Sequence, residues 1–404
     1  MRLIGIVGAG LAFAATPAVA QNTVTWQGVR PTLSLADGGF TLSPVGRLDL
    51  DGGSYFGQDE PGGFSSGVNV RRARIGVQGT ILRDFYYNFT WDFAPQTPQY
   101  QSLGGKVFEA QLAYTGLRWA TIRVGAFTPL HTLEYSGSSF ELLFMERAAI
   151  TNLVASLGSG DTRVAAGIEA HGERWLAAAY LTDGVLSTLN DNQQRGAAAR
   201  AAFLALNEEM VQLQIGLGAT YQWRPGPNTS ESVRLRDFPE LRVDAERLLD
   251  TGSLRANSAW SLGPEVAGRI GPVYVAAEYY HIGVDTEGGG NRGFDGWYAQ
   301  AAYPLLGQPR QREAARGVWR APRAPDFDPA AGNWGALELA GRYSTARLND
   351  GPVRGGRQSI WSAALNWYPT RQMHFTVQYQ NGTVALDEGD RPFQAFGFRL
   401  SFNL

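Results

Sequence analysis

The chain has 404 residues, with 35 Lys and Arg against 37 Asp and Glu, and it contains no cysteine. A net charge near −2 excludes a broadly basic nucleic-acid binder, and the absence of cysteine excludes a disulfide framework and thiol chemistry. Fifty glycines, 12% aromatics and a slightly negative mean hydropathy do not suit a bundle of membrane helices, but they do suit strands in which apolar and polar residues alternate.

Residues 1–20 read as an export signal: Arg2 gives the positive start, Leu3 to Ala15 the short apolar run, and Ala18-Val19-Ala20 a cleavage site before Gln21. The run is too short for an anchor helix and is broken by Thr16-Pro17. Beyond Ala20 no apolar stretch approaches the roughly 20 residues of a spanning helix. Residues 21–41 read as a periplasmic N-terminal segment, and 42–404 as a barrel.

From Leu42 onward one alternating segment follows another. In the sharpest, Phe85, Tyr87, Phe89, Trp91 and Phe93 alternate with Tyr86, Asn88, Thr90 and Asp92. Val211 to Trp223 and Met373 to Gln380 repeat the pattern, and the chain closes on Phe396, Phe398, Leu400, Phe402 and Leu404, which alternate with Gly397, Arg399, Ser401 and Asn403. A period of two gives strands with one oily and one wet side. Very short connections (81–83, 116–118, 171–173, 206–210, 369–370) are interleaved with long ones (51–67, 94–106, 128–162, 183–196, 224–255), as in an up-and-down transmembrane β-barrel. The all-β chain is expected to form about 16 antiparallel strands. The Arg- and Pro-rich stretch 306–333 stands where a tight turn belongs, and an extra hairpin there would make 18. Tyr86, Tyr87, Trp91, Tyr114, Trp119, Trp175, Trp297, Trp361, Trp367 and Tyr368 fall near strand ends, as two interfacial girdles would.

With that pattern in place, several stretches are similar to the phosphate-selective porins O and P of Gram-negative outer membranes. They include Arg71-Arg72-Ala73-Arg74-Ile75-Gly76-Val77, Tyr114-Thr115-Gly116-Leu117, Ile122-Arg123-Val124-Gly125-Ala126-Phe127 and Phe144-Met145-Glu146-Arg147-Ala148. Trp334 to Ser344, Asn366-Trp367-Tyr368 and the closing strand continue the match through almost the whole mature chain. The resemblance implies a 16-stranded barrel, a homotrimer, passive diffusion of anions such as phosphate, and a C-terminal strand read by the barrel-assembly machinery. The chain departs from the family pattern in having Lys106 as its only lysine, so fixed positive charge rests on arginine.

If Phe85 and Phe89 face lipid, the opposite parity faces the lumen, since a charge facing lipid in mid-membrane costs roughly 2–4 kcal/mol. Candidate pore-lining residues are then Arg72, Arg74, Asp92, Glu109, Arg123, Arg163, Glu338, Arg342 and Arg399, joined by Arg147 from the long loop. Arginine forks match phosphate and carboxylate oxygens, so the cluster of Arg72, Arg74 and Arg123 is a candidate anion track. The competing reading is that the wall charges neutralise one another, Glu338 with Arg342, or Asp92 and Glu109 with Arg72 and Arg74. Loop 128–162 is the candidate constriction, with Glu134, Glu141 and Glu146 facing the basic wall.

No cofactor, metal or catalytic site is expected. His131, His171, His281 and His374 lack ligand spacing, and no nucleophile elbow or phosphate-binding glycine loop occurs. The leading expectation is therefore a passive porin, not an enzyme, in contact with outer-membrane lipid and small anionic or polar solutes. A general or non-phosphate porin, an outer-membrane enzyme barrel and a secreted β-rich binding protein are the alternatives.

Overall fold

In the computed structural model, residues 22–58, 63–94, 105–158, 162–186, 194–226 and 232–404 are described. The expected export signal lies outside them. Among the described residues sixteen strands close an antiparallel barrel, each paired with its sequence neighbour and the last with the first. They are β1 Phe40–Phe56, β2 Gly67–Ile81, β3 Phe85–Asp92, β4 Lys106–Leu117, β5 Ala120–Phe127, β6 Arg163–His171, β7 Trp175–Val185 and β8 Arg195–Asn207. The second half comprises β9 Val211–Arg224, β10 Leu254–Ile270, β11 Val273–Thr286, β12 Asn291–Leu306, β13 Ala336–Asp350, β14 Val353–Thr370, β15 Met373–Leu386 and β16 Gly389–Asn403. Closure leaves the wall no unpaired edge, which permits its apolar outer face.

The outer face carries the expected phase: Phe85, Phe89, Phe396 and Phe398 are exposed, whereas Arg399 and Ser401 are buried. β16 pairs with β1 from Asn403↔Arg47 to Gln394↔Phe56. Tyr86 and Tyr368 depart from the girdle expectation. Their parity turns them inward, Tyr86 onto a cavity and Tyr368 beside Arg310.

The two ends of the barrel differ. One, the turn end, has connections of two or three residues apart from 307–335 between β12 and β13; the other, the loop end, carries the remaining long excursions. Residues Thr23–Gln27 and Arg30–Leu35 form a hairpin that pairs onto the start of β1 at the turn end, so the wall begins at Phe40. The 306–333 stretch adds no strand to the wall, which fixes the count at sixteen. Its short hairpin, Gln311–Glu313 with Val318–Arg320, instead enters the lumen from the turn end.

Three segments fill much of the interior. From the loop end, 128–162 carries a helix, α1 (Ala149–Gly158), whose Ile150, Leu153, Val154 and Leu157 pack on inward Tyr280, Ile282, Phe294 and Tyr298. Also from the loop end, 225–253 places Leu241 and Val243 with Met145 against inward Tyr55, Ile360 and Phe393. The third is the turn-end hairpin, where Trp319 packs with Leu133, Phe144 and Tyr274. Inner-wall glycines let the segments come closest. A Cβ on Gly218 would lie 2.3 Å from the His131 carbonyl oxygen, so only glycine lets this backbone approach.

Candidate functional site

The infolded segments cover the inner face from β7 round through β16 to β1 and leave a passage along β2 to β6. A cavity of about 550 Å³ runs there between the wall and segment 128–162. Thr162, Asn152 and Arg242 mark its loop end, and Tyr86, His171 and Arg316 its turn end, so it spans the height of the wall. Arg71, Arg72, Arg74, Arg123, Arg147, Arg242 and Arg316 line it, against the carboxylates Glu109, Glu146 and Glu169. Adding Asp49 and Asp92, which hold Arg72 and Arg74 from behind, gives seven arginines against five acids.

Strand register decides how these arginines are held. Arg74 lies opposite Asp92 and donates to it at 2.8 Å, with its guanidinium 3.3 Å from the centre of the Phe108 ring. Arg72 lies opposite Asp49 and donates to it at 2.7 Å. Arg123 grips Glu169 through two bonds of 3.0 Å and also donates to Gln111, which in turn donates to Glu109. Arg147 donates to the Glu134 and Gly137 carbonyls and stacks 4.1 Å over Tyr135, with no carboxylate in ion-pair contact among the described residues. Arg316 on the turn-end hairpin likewise forms no ion pair among those residues.

Arg71 was not among the candidates, because strict alternation turns it outward. A bulge between Asp49/Arg72 and Leu50/Val70 leaves Arg71 without a partner on β1 and turns it inward beside Arg72. Its guanidinium meets Glu146 at 2.7 and 2.9 Å. The sequence does carry the signal. The exposed apolar residues fall on even positions at Val68 and Val70 and on odd positions at Ile75 and Val77, so the phase slips between them.

Glu146 is the point where the inner segment meets the barrel seam. Besides Arg71 it accepts a bond from Arg399 at 2.8 Å, and Arg399 also holds Asp51 of β1 with two bonds of 2.6 Å. Burial pushes the Glu146 carboxyl up, but Arg71 and Arg399 overturn this and hold it well below the usual carboxylate range.

Several candidates point inward yet do not line this cavity, because the infolded segments make their part of the lumen a packed core. Arg163 is buried and donates to the Ser156 carbonyl in the last turn of α1. Asp92 is sealed by Arg74 and by the backbone N–H groups of Ala73 and Ala94. Glu338 takes two bonds from Arg310 at 2.8 and 2.9 Å and does not pair with Arg342. Four residues along a strand span about 13 Å, so Glu338 and Arg342 cannot meet.

Arg342 instead reaches Glu134 at 3.4 Å and Glu240 at 2.5 Å. Those two acids accept the N–H groups of Ala148 and Ala149, so they satisfy orphan donors at the start of α1. Glu134 is therefore a buried cap, and Arg399 serves the seam. Glu141 lies beside Arg320 at 3.5 Å, facing a smaller cavity of about 40 Å³. The long connection 224–255 has no alternation that would signal Glu240 folding inward to meet Arg342.

The family described as phosphate-selective porin O and P matches residues 45–404. The chain is 24% identical over 445 residues to Porin O of Pseudomonas aeruginosa, covering 99% of this chain and 98% of that protein. It is 28% identical over 402 residues to an uncharacterized protein of Caulobacter vibrioides, covering 94% of this chain and 76% of that one. Two solved structures share the fold. The anion-selective porin from Comamonas acidovorans has a TM-score of 0.53 at 10% identity and covers 90% of this chain and 100% of its own. OmpT, an outer membrane protein of Vibrio cholerae, has a TM-score of 0.55 at 12% identity and covers 91% of this chain and 100% of its own. A closed sixteen-stranded wall with an apolar outer face, an arginine-lined passage inside it and a match across most of the sequence lead to one assignment: the chain belongs to the phosphate-selective porin O and P family and is a porin of the Gram-negative outer membrane.

Proposed function

We propose that the passage along β2 to β6 conducts small anions by passive diffusion, with phosphate-class oxyanions in the preferred group, and that the chain catalyses no reaction. The excess of arginine over carboxylate on the cavity carries this reading, above all Arg147 and Arg316, whose charges no ion pair offsets among the described residues. A fixed charge on a narrow wall sorts solutes by sign, and guanidinium forks suit tetrahedral oxyanions. Segment 128–162 is the constriction in this reading, since it forms the side of the passage opposite the wall. The turn end faces the periplasm, the protein works as a homotrimer, and the closing strand at Leu404 is the signal for the barrel-assembly machinery.

The ion pairs of Arg71, Arg74 and Arg123 support a second reading, a general anion-tolerant porin without phosphate preference. Purified protein in a planar bilayer separates the two. Stepwise chloride currents that fall when inorganic phosphate is added support an oxyanion site, and chloride currents indifferent to phosphate support the general porin. A protein that gives no current steps is not a channel.

A further inference from the structure

We propose that residues 326–334 form a membrane anchor, seated in the phospholipid headgroup layer at the turn end of the barrel. The connection between β12 and β13 divides at the rim. Its first part is the hairpin inside the lumen, and after Arg323, whose carbonyl accepts from Gln308, the chain passes to the outside of the wall. There Phe327 donates its N–H to the Pro369 carbonyl at 2.8 Å, and paired bonds of 2.9 Å between Asp328 and Asn333 close a small knuckle. The Asp328 side chain and Gly332 cap its single turn, Pro329–Ala331.

The knuckle presents aromatic rings outward. Phe327 packs edge-on against Trp334 and Trp367 at 5.8 and 5.6 Å, and Trp367 stacks on Phe375 at 5.3 Å. Trp367 donates its indole N–H to the Trp334 carbonyl at 2.8 Å. Trp367 and Phe375 share the outward phase of Leu365 and Val377 on the lipid-facing wall, so the knuckle continues that surface beyond the strand ends. Trp334 nevertheless remains 57% exposed and Phe327 40%.

Large amphipathic rings left open at this level prefer the membrane–water interface, where the indole body meets acyl chains and the polar edge meets headgroups. The neighbouring turn residue Arg371 is exposed and forms no ion pair among the described residues, as suits a cation facing lipid phosphates. Continuity with the lipid-facing wall selects phospholipid over a protein partner as the occupant. The anchor also has a mechanical consequence. Fixing the knuckle in the leaflet holds the exit chain of the lumenal hairpin, and so holds Arg316 in the passage.

The wild-type chain has no cysteine, so Phe327→Cys and, separately, Trp334→Cys each give a single site for a nitroxide label. The labelled barrels are placed in phosphatidylethanolamine–phosphatidylglycerol vesicles and relaxed with oxygen or with a water-soluble nickel chelate. Asp387→Cys at an exposed loop-end turn is the aqueous control. At both knuckle positions oxygen should relax the label severalfold more, relative to nickel, than at the control. A nickel response equal to the control would place the knuckle in water. Exclusion of both reagents would place it against a second copy of the chain or another protein. Either result overturns the proposal.

Discussion

Replacing Glu146 with glutamine removes the carboxylate on which the inner segment and the barrel seam converge. Three charge-assisted hydrogen bonds end on it, at 2.7 and 2.9 Å from Arg71 and 2.8 Å from Arg399, and the residue is only 4% exposed. Breaking a buried pair by neutralising one partner costs about 3–5 kcal/mol. Arg399 keeps both of its bonds to Asp51, and the Arg71 side chain is 18% open to the cavity, so the lower end, about 3 kcal/mol, is expected.

The same change raises the net charge of the passage by one. For an anion about 5 Å away in water-like surroundings this is worth about 0.8 kcal/mol, roughly a fourfold gain in partitioning. Glu146→Gln should therefore unfold at lower urea and give a more anion-selective reversal potential. The folded pKa of Glu146 lies below its unfolded value, so its stabilisation is fully present above about pH 4 and is lost as pH falls through the depressed folded value. Wild type and variant should thus differ at neutral pH and converge only in stronger acid. A variant with wild-type urea midpoint and wild-type selectivity would refute the role given to Glu146.

Asp237, in segment 225–253, titrates in the opposite sense. Burial pushes its carboxyl up to about 7 despite the bond from Asn152 at 2.8 Å. A raised folded pKa means that wild type loses stability as pH rises from about 4 through about 7, so Asp237→Asn should melt higher than wild type at pH 8 and gain nothing at pH 4; an equal gain at both would contradict this. Gly218→Ala places a Cβ against the rigid His131 carbonyl and should cost about 1–3 kcal/mol in urea unfolding, as overpacking does. No loss would mean that the segment does not rest there. Arg123→Gln leaves Glu169 without its ion-pair partner on the cavity and should lower anion partitioning by roughly fourfold, read from the reversal potential; an unchanged value would exclude Arg123 from the conducting path.

The wall was legible because its chemistry is periodic. Alternation gave the strands and their lipid-facing phase, and it placed Arg72, Arg74, Glu109 and Arg123 on the cavity side. Two things were harder to read. The bulge that turns Arg71 inward shows only as a phase slip between Val70 and Ile75. The division of the lumen into core and passage is written in β11, whose inward face, interrupted by Glu278, is otherwise the apolar Tyr274, Ala276, Tyr280, Ile282 and Val284. A strand oily on both sides must have protein on its inner side, yet nothing local says which segment supplies it. Partner choice was illegible for the same reason. Glu134 and Glu240 meet Arg342 across 208 and 102 residues of chain, through folding of loops with no period of their own.

The sign of the reversal potential in a planar bilayer under a potassium chloride gradient tests the central claim most directly. An arginine excess along the passage requires a value on the chloride side, moving toward zero when Arg147 and Arg316 are both replaced by alanine. A value on the potassium side, or one that the double replacement leaves unmoved, would contradict an anion path along β2 to β6.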